Sequence, residues 1–518
     1  MEFKPSTYQQ AVYDVIEHGN GSLIVNAVAG SGKTTTIVNS VELLSDSLTT
    51  MFCAFNKSIA TELGNRLPKH VNTCTMNSLG HRAWMRHVGG RIDLKVDKTY
   101  RIFDSEQIQT EFSHKSPRSV RYVVSQLVGF AKGLGLVPAE LEGKGYTGLL
   151  ADTTKSWEGI IQHYGVDMNI KRDGKTRFEV KQELREKTDL AIEIARRILY
   201  IGIKNQKLID FNDQLYLPVI ANARFPANDV VFVDEAQDIS AIQRVMLKRS
   251  LKHGGRLIAV GDPHQAIYGF RGADSESLNN IAKDFNANSL PLSISYRCPQ
   301  DIVKEAQSFV SHIEASDTAP MGKVEQLGTY SNTNMDTFQP EDFVLCRNVA
   351  PLIKLAFALI RAQKPVGILG RDIGKTIVSL IEKLNANDIT DLELKLSQWE
   401  QIEISRIQER DPEANVGYII ERADAVRTFI TCSHEHTIEG VIDAVGRLFC
   451  NSISGAVKLA TIHKSKGLEA ERVIILDQHL IPSKYATQEW QKEQENNLNY
   501  VAITRSMGYL GYIESPDD

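Results

Sequence analysis

The chain has 518 residues, 42% hydrophobic and 24% charged, with a formal net charge of −5. At about 150 residues per domain this ordinary globular composition predicts three or four domains, and the acidic balance excludes polyanion binding through overall charge, so any such track is a local arrangement of Lys and Arg. No apolar run reaches the length of a membrane span and Met1-Glu2-Phe3-Lys4 begins no signal peptide, so a soluble intracellular protein with no membrane partner is expected. The six cysteines are scattered without a CxxC pair, which favours buried thiols in a reducing compartment over zinc or a disulfide framework.

Near the amino terminus, Tyr8-Gln9-Gln10-Ala11-Val12 opens a helical pattern that runs through Val15 and Ile16. A glutamine amide offers the donor and acceptor that an adenine edge needs, although a Gln at a helix start is usually solvated. Leu23-Ile24-Val25 reads as a buried strand, and Ile37, Val38, Val41 and Leu44 after Lys33 stand at helical spacing. Between them, Ala29, Gly30, Ser31 and Gly32 form a small turn leading to Lys33, Thr34 and Thr35. Strand, tight turn and helix start aim unpaired N–H groups at one point, where a phosphate chain is expected, with Lys33 reaching its outer phosphates and Thr34 ligating Mg²⁺. The strict pattern asks for Gly at position 27, where this chain has Ala27.

Further strands are expected at Met51–Phe55 and Val71–Thr75. Phe55, Asn56, Thr75 and Asn77 then fall beyond the carboxyl ends, where an open parallel sheet binds its ligands. From about 90 to 204 the chain becomes charged and helical; Arg118, Arg121, Lys132, Lys171, Arg172, Lys175 and Arg177 could line a nucleic acid or simply be solvated. The sheet is expected to resume at Ile209–Asp213 and at Val230-Val231-Phe232-Val233-Asp234-Glu235. A buried strand ending in two acids suits a metal-holding Asp234 and a water-activating Glu235. After the strand Leu257–Val260, Asp262 and Gln265 could sense the γ-phosphate, and Tyr268, Phe270 and Arg271 suit base stacking. Pro291–Cys298 opens a second half, whose strand candidates Phe343–Cys346, Val366–Leu369, Val457–Thr461 and Val473–Leu476 predict a second parallel sheet without its own phosphate loop. Residues 385–449 read as a small helical cap. Arg505, near a strand end, is a candidate arginine finger.

The ordered segments TYQQAV, AVAGSGKTT, CAFNKSIA, TCTMNSLG, VFVDEAQD, GDPHQAIYGFRGA, LSISYRC, LATIHKSKGLE and LNYVAITRS resemble the UvrD/Rep type of superfamily 1 helicase over nearly the whole chain. The resemblance implies an α/β fold of two RecA-like parallel-sheet domains, each with a helical insertion. One sheet domain would span 1–90 and 205–290 with insertion 91–204; the other would span 291–384 and 450–518 with insertion 385–449. It further implies that Gln9, or Gln10 with the register shifted by one, reads adenine, Tyr296 stacks on it and Glu469 contacts the ribose. Lys33, Thr34, Asp234, Glu235 and Gln265 would hold and hydrolyse ATP with Mg²⁺, and Arg297 and Arg505 would reach the nucleotide from the second sheet. Phe55, Asn56, Asn77, Tyr268, Phe270, Arg271 and His463 would line single-stranded DNA.

The implied activity is ATP-dependent translocation on a single strand in the 3′ to 5′ direction, unwinding tailed duplexes as ATP closes a cleft and hydrolysis reopens it. The molecule would act as a monomer, with single-strand-binding or loading proteins as possible partners. Phe270 stands where Trp is common and Asn77 where His is common; the insertion at 385–449 is much shorter than in the large family members. A translocase that mainly strips bound proteins, and a nucleotide-gated DNA-binding protein without turnover, are the competing readings.

Overall fold

The computed structural model describes residues 4–54, 56–115, 117–164, 166, 168, 177–267, 276–331, 334–408, 416–450, 454–486 and 488–516. The chain divides into two compact units, residues 1–27 with 32–292 and residues 28–31 with 293–518. Among the described residues no helix is long and apolar enough to cross a membrane, and all six cysteines are unpaired.

The first unit is built on a six-stranded parallel sheet of β1 (Leu23–Ala27), β2 (Thr50–Ala54), β3 (Asn72–Thr75), β4 (Asn228–Val233), β5 (Leu251–Gly261) and β6 (Asn288–Leu292). Their spatial order is β3-β2-β4-β5-β1-β6. Its inner strands β2 and β4 are apolar on both faces because both faces are covered, whereas the edge strands β3 and β6 are partly exposed. Leu23, Val25, Phe52, Val230 and Phe232 pack with Val12 and Ile16 of α1 (Thr7–His18) and Ile37 of α2 (Lys33–Val41). The alternate residues Ile24, Met51, Cys53, Val231 and Val233 face the other way. They join one apolar cluster with Leu127, Trp157 and Ile194 of the helical stretch between β3 and β4.

The second unit carries a seven-stranded parallel sheet of β7 (Lys323–Thr329), β8 (Phe343–Cys346), β9 (Val366–Leu369), β10 (Phe449–Cys450), β11 (Val457–Thr461), β12 (Ala470–Leu476) and β13 (Ser506–Glu514), in the order β7-β13-β12-β8-β11-β9-β10. Between β9 and β10 run the helices Arg371–Leu384, Ile389–Gln408, Gly417–Ser433 and Ile438–Leu448. Leu392, Leu396, Val426 and Phe429 share one core with Val344 and Leu459 of the sheet, so this helical segment is not packed as a separate body.

The structure corrects three readings of local structure. Ile209–Asp213 is not a main-sheet strand: among the described residues Leu208–Ile209 pairs only with Asp93–Leu94, and Asp213 starts the helix α8 (Asp213–Ile220), which comes after α3 (Lys57–Arg66), α4 (Met76–Val88), α5 (Lys98–Phe103), α6 (Arg121–Gly133) and α7 (Arg177–Lys204). Pro291 and Leu292 end β6 of the first sheet. Arg505 lies at the start of a strand, between the helix Glu489–Ile503 and β13.

Of the basic residues in the first insertion, Lys132 is buried, and Arg121 pairs with Asp104 and lies over the Tyr100 ring. Lys171, Arg172 and Lys175 lie outside the described residues. Lys132 belongs to a cluster with Lys98, Asp210 and Asp213. Lys98 Nζ is 2.6 Å from Asp213 Oδ2, and Lys132 Nζ is 2.7 Å from Asp210 Oδ2 and 2.8 Å from Asp213 Oδ1. Burial works against the Asp213 carboxylate, but Lys132 and Lys98 outweigh it and hold its pKa below the usual carboxylate range. Burial also pulls the Lys98 pKa down, against the attraction of Asp213. Removing one member of such a set leaves an uncompensated buried charge, which costs more than the intact pair contributes. Asp213→Asn is therefore expected to lower stability by about 3–5 kcal/mol in urea unfolding, and the double variant Lys98→Met with Asp213→Leu to recover much of that loss.

Candidate nucleotide and nucleic-acid site

The turn after β1 depends on two glycines in the left-handed region, Gly30 at φ +72° and Gly32 at φ +74°, a conformation that costs other residues about 1–2 kcal/mol. Gly32 precedes α2 and offers no side-chain cap, so the first N–H groups of α2 have no partner within the helix and point toward the turn. The Ser31 hydroxyl is buried without a hydrogen-bond partner. Gln9 is buried beside this helix: its Nε2 donates to Thr36 Oγ1 at 3.1 Å and its Oε1 accepts from Ser6 N. Gln10 points elsewhere and bonds Asp14. Of the two glutamines, Gln9 is the one the fold buries against the start of α2.

At the end of β4, Asp234 Oδ2 accepts from Thr34 Oγ1 at 3.0 Å. Burial, reinforced by the charge of Glu235, pushes the Asp234 pKa from 3.8 up to about 6, although Lys33 and the Thr34 bond act in the other direction. A hydroxyl beside a carboxylate that is costly to ionise fits a hard divalent cation, which takes oxygen ligands and relieves that cost. Glu235 is only half-buried and sits at φ +53°, a backbone state that L residues adopt where the surroundings enforce it.

A glutamine without an assigned role in the sequence reading ties the acids together. Gln237 Nε2 donates to Glu235 Oε2, while its Oε1 accepts from Asp262 N at 3.1 Å. Asp262 is fully buried, its pKa raised by that burial, and its Oδ2 accepts from Gln265 Nε2 at 2.7 Å. Gly261 makes this approach possible: a Cβ there would stand 2.5 Å from Gln237 Oε1. The sequence signal was present in the repeat of an acid followed two or three residues later by Gln after both strands; the contact between the two loops was not.

In the second unit, Arg297 Nη2 pairs with Glu469 Oε2 at 2.5 Å and its Nη1 donates to Thr504 O at 3.4 Å. Tyr296 is half-exposed. Arg505 is 1% exposed, with Nε donating to Val501 O and Nη1 to Leu468 O, so it is held by carbonyls of its own unit. His463 is partly buried on the short helix Ile462–Ser465 after β11.

Asn56 caps α3 by accepting from Ile59 N, and Thr75 caps α4 by accepting from Ser78 N. Asn77 bonds Phe211 and Gln214 of the α8 start. Asn56, Thr75 and Asn77 thus all lie at the carboxyl ends of β2 and β3. Phe55, Tyr268, Phe270 and Arg271 lie outside the described residues.

Residues 8–286 match the family model of the UvrD/REP helicase N-terminal domain and residues 446–514 that of the UvrD-like helicase C-terminal domain. The F-box DNA helicase 1 of Gallus gallus is 23% identical, across 98% of this chain and 48% of that protein. DNA helicase II of Haemophilus influenzae is 24% identical, across 68% of this chain and 49% of the relative. The ATP-dependent DNA helicase PcrA of Staphylococcus aureus is 23% identical, across 60% and 40%. The chain spans about half the length of the relatives it matches, or less.

The raised Asp234 pKa fixes a pH dependence. Between about pH 4 and 6 the folded state holds a proton that the unfolded state has lost, so this group's contribution to stability falls as the pH rises through about 6. At about 1.4 kcal/mol per pKa unit the deficit is roughly 3 kcal/mol at neutral pH. Asp234→Asn is expected to flatten this slope in urea unfolding between pH 4.5 and 7.5. Mg²⁺ is expected to raise the melting temperature of the wild type more at pH 7.5 than at pH 5, and to have little effect on the variant.

Proposed function

Because the chain belongs to the UvrD/Rep helicase family, we propose that it is an ATP-dependent DNA helicase or translocase that moves along single-stranded DNA, in the 3′ to 5′ direction. The observation that carries this reading is the Thr34–Asp234 pair at the phosphate loop, with Glu235 tied through Gln237 to the Asp262–Gln265 loop. We assign sheet domains to 1–90 with 205–292 and to 293–384 with 450–518, since Pro291 and Leu292 pair in the first sheet, and insertions to 91–204 and 385–449.

In this reading the α2 N–H groups and Lys33 hold the phosphates of ATP, and Thr34 and Asp234 hold Mg²⁺, which supplies charge neutralisation on the phosphates. Glu235 orients and deprotonates the attacking water. Its left-handed backbone and the bond from Gln237 fix where its carboxylate points. Gln265, held by Asp262, contacts the γ-phosphate, and Gln237 joins the Asp262 loop to Glu235, so the state of the phosphate site and the position of the base are linked through two amides. Gln9 reads the adenine edge with the Nε2 proton that Thr36 leaves free. Tyr296 stacks on the base, Glu469 contacts the ribose, and Arg297 and Arg505 act on the phosphates; in comparable GTPase chemistry an arginine of this kind contributes about 10³–10⁵ in rate. Because Glu469 pairs with Arg297 and Arg505 is held by carbonyls, these roles require both arginines to exchange partners when nucleotide binds. The strand lies over Asn56, Thr75 and Asn77, with Phe55, Tyr268, Phe270, Arg271 and His463 as further contacts. The chain acts as a monomer on tailed duplexes.

Steady-state ATPase activity with and without single-stranded DNA tests this reading. Strong stimulation by DNA in the wild type, and a fall of about 10²–10⁴ in kcat for Glu235→Gln, are expected; absent or unstimulated turnover in the wild type would overturn the motor. Duplexes with a 3′ or a 5′ tail then read the direction. Gly261→Ala, which drives a Cβ against Gln237, is expected to lower kcat at least tenfold while leaving KM for ATP nearly unchanged, since it disturbs the base and its relay without touching the phosphate loop.

A further inference from the structure

Asn77 stands at the carboxyl edge of β3, the first turn of α4, and its amide is already half spent. Nδ2 donates to Phe211 O at 3.2 Å and to Gln214 Oε1 at 2.9 Å, which uses both of its protons. The orientation is unambiguous, because a backbone carbonyl can only accept: the nitrogen must face Phe211. The same direction runs onward, with Gln214 Oε1 toward Asn77 and Gln214 Nε2 toward His81 Nδ1 at 3.3 Å.

This arrangement is held from behind. Asp213 N donates to Asp210 Oδ1 at 2.8 Å and Asp210 N to Asp213 Oδ2 at 3.1 Å, closing the loop that carries Phe211. Lys98 and Lys132 neutralise the same two carboxylates. Gly80, one turn after Asn77, lets α4 lie against α8: a Cβ there would stand 2.0 Å from Gln214 O. Asn77 therefore cannot rotate its amide without leaving a carbonyl unpaired beside a charge-locked loop.

What remains for a ligand is Oδ1, an acceptor on a partly exposed residue that meets no donor among the described residues. A phosphate oxygen is also an acceptor and finds nothing there. We infer that Asn77 reads a hydrogen-bond donor of the bound single strand, an N–H on a base edge, and makes no phosphate contact. The inference rests on the reading above that this edge binds single-stranded nucleic acid, and gives Asn77 a different task from backbone holding. The half-exposed ring of Phe211, on the residue whose carbonyl fixes the amide, makes the neighbourhood one for a base. The other donor a strand can offer is the ribose 2′-hydroxyl.

The experiment is a binding cycle with the full chain and three fluorescent homopolymers of equal length. Oligo(dT) presents an N3–H at every register, oligo(N3-methyl-dT) keeps phosphates and stacking faces but presents none, and oligo(rU) adds the 2′-hydroxyl. Asn77→Ala is expected to weaken binding to oligo(dT) about three- to tenfold, the range for one hydrogen bond, and to leave oligo(N3-methyl-dT) unchanged. A loss on oligo(rU) well above that on oligo(dT) overturns the base-edge assignment and makes the ribose 2′-hydroxyl the donor read. Equal losses on all three strands, as a structural or phosphate role would give, overturn the inference, as does no loss on any. Failure of the wild type to bind any strand sinks the functional reading itself, whereas wild-type binding that is indifferent to Asn77→Ala sinks this inference alone.

Discussion

Parallel strands cannot be joined by tight turns, and every neighbour in both sheets is parallel. Each connection must cross back over a face, which covers both faces of each sheet and brings all the strand ends of one kind to one edge. In the first unit that edge collects Gly32 and the start of α2 after β1, Asn56 after β2, the Thr75 cap after β3, Asp234 and Glu235 after β4, and Asp262 and Gln265 after β5. The strand order is what makes chemistry of them: β5 lies between β1 and β4, so residues far apart in sequence share one rim.

Burial then sets the electrostatics. Buried carboxylates lose hydration, and the fold answers in two ways. Asp213 is matched by two lysines and stays ionised, a structural use of charge. Asp234 has no such ion pair among the described residues; a hydroxyl and the nearby Lys33 leave its pKa at about 6, which is the condition under which a metal ion is welcome. The two aspartates differ in surroundings and not in residue type, and their roles follow from that difference.

Amide side chains do the connecting. Gln237 joins the ends of β4 and β5, Gln9 joins the α1 cap to α2, and Gln214 with Asn77 joins α8 to α4. Gln237 and Gln9 each use a donor and an acceptor at once, and Asn77 uses both of its donors, so each has a fixed orientation. A site lined in this way selects ligands by the sense of the hydrogen bonds it has left.

The sequence by itself determined the α/β class, the strands that end at Asp234 and Asp262, the glycine turn after β1 and the family, because apolar runs of strand length, glycines at a turn and acids after a buried strand are local patterns with local causes. It could not separate Gln9 from Gln10, since both occupy the same helix start and only the packing of α1 on α2 buries one of them. It read Ile209–Asp213 as a strand because an apolar residue followed by turn formers looks alike in either setting, and only the pull of Lys98 and Lys132 on the two aspartates shows that the segment is a clamped loop opening a helix. It counted Lys132 among basic residues that could face a nucleic acid, where the fold buries it against carboxylates. Such assignments depend on partners 78 or 115 residues away, and the tertiary structure alone decides which distant charge, carbonyl or amide each side chain meets.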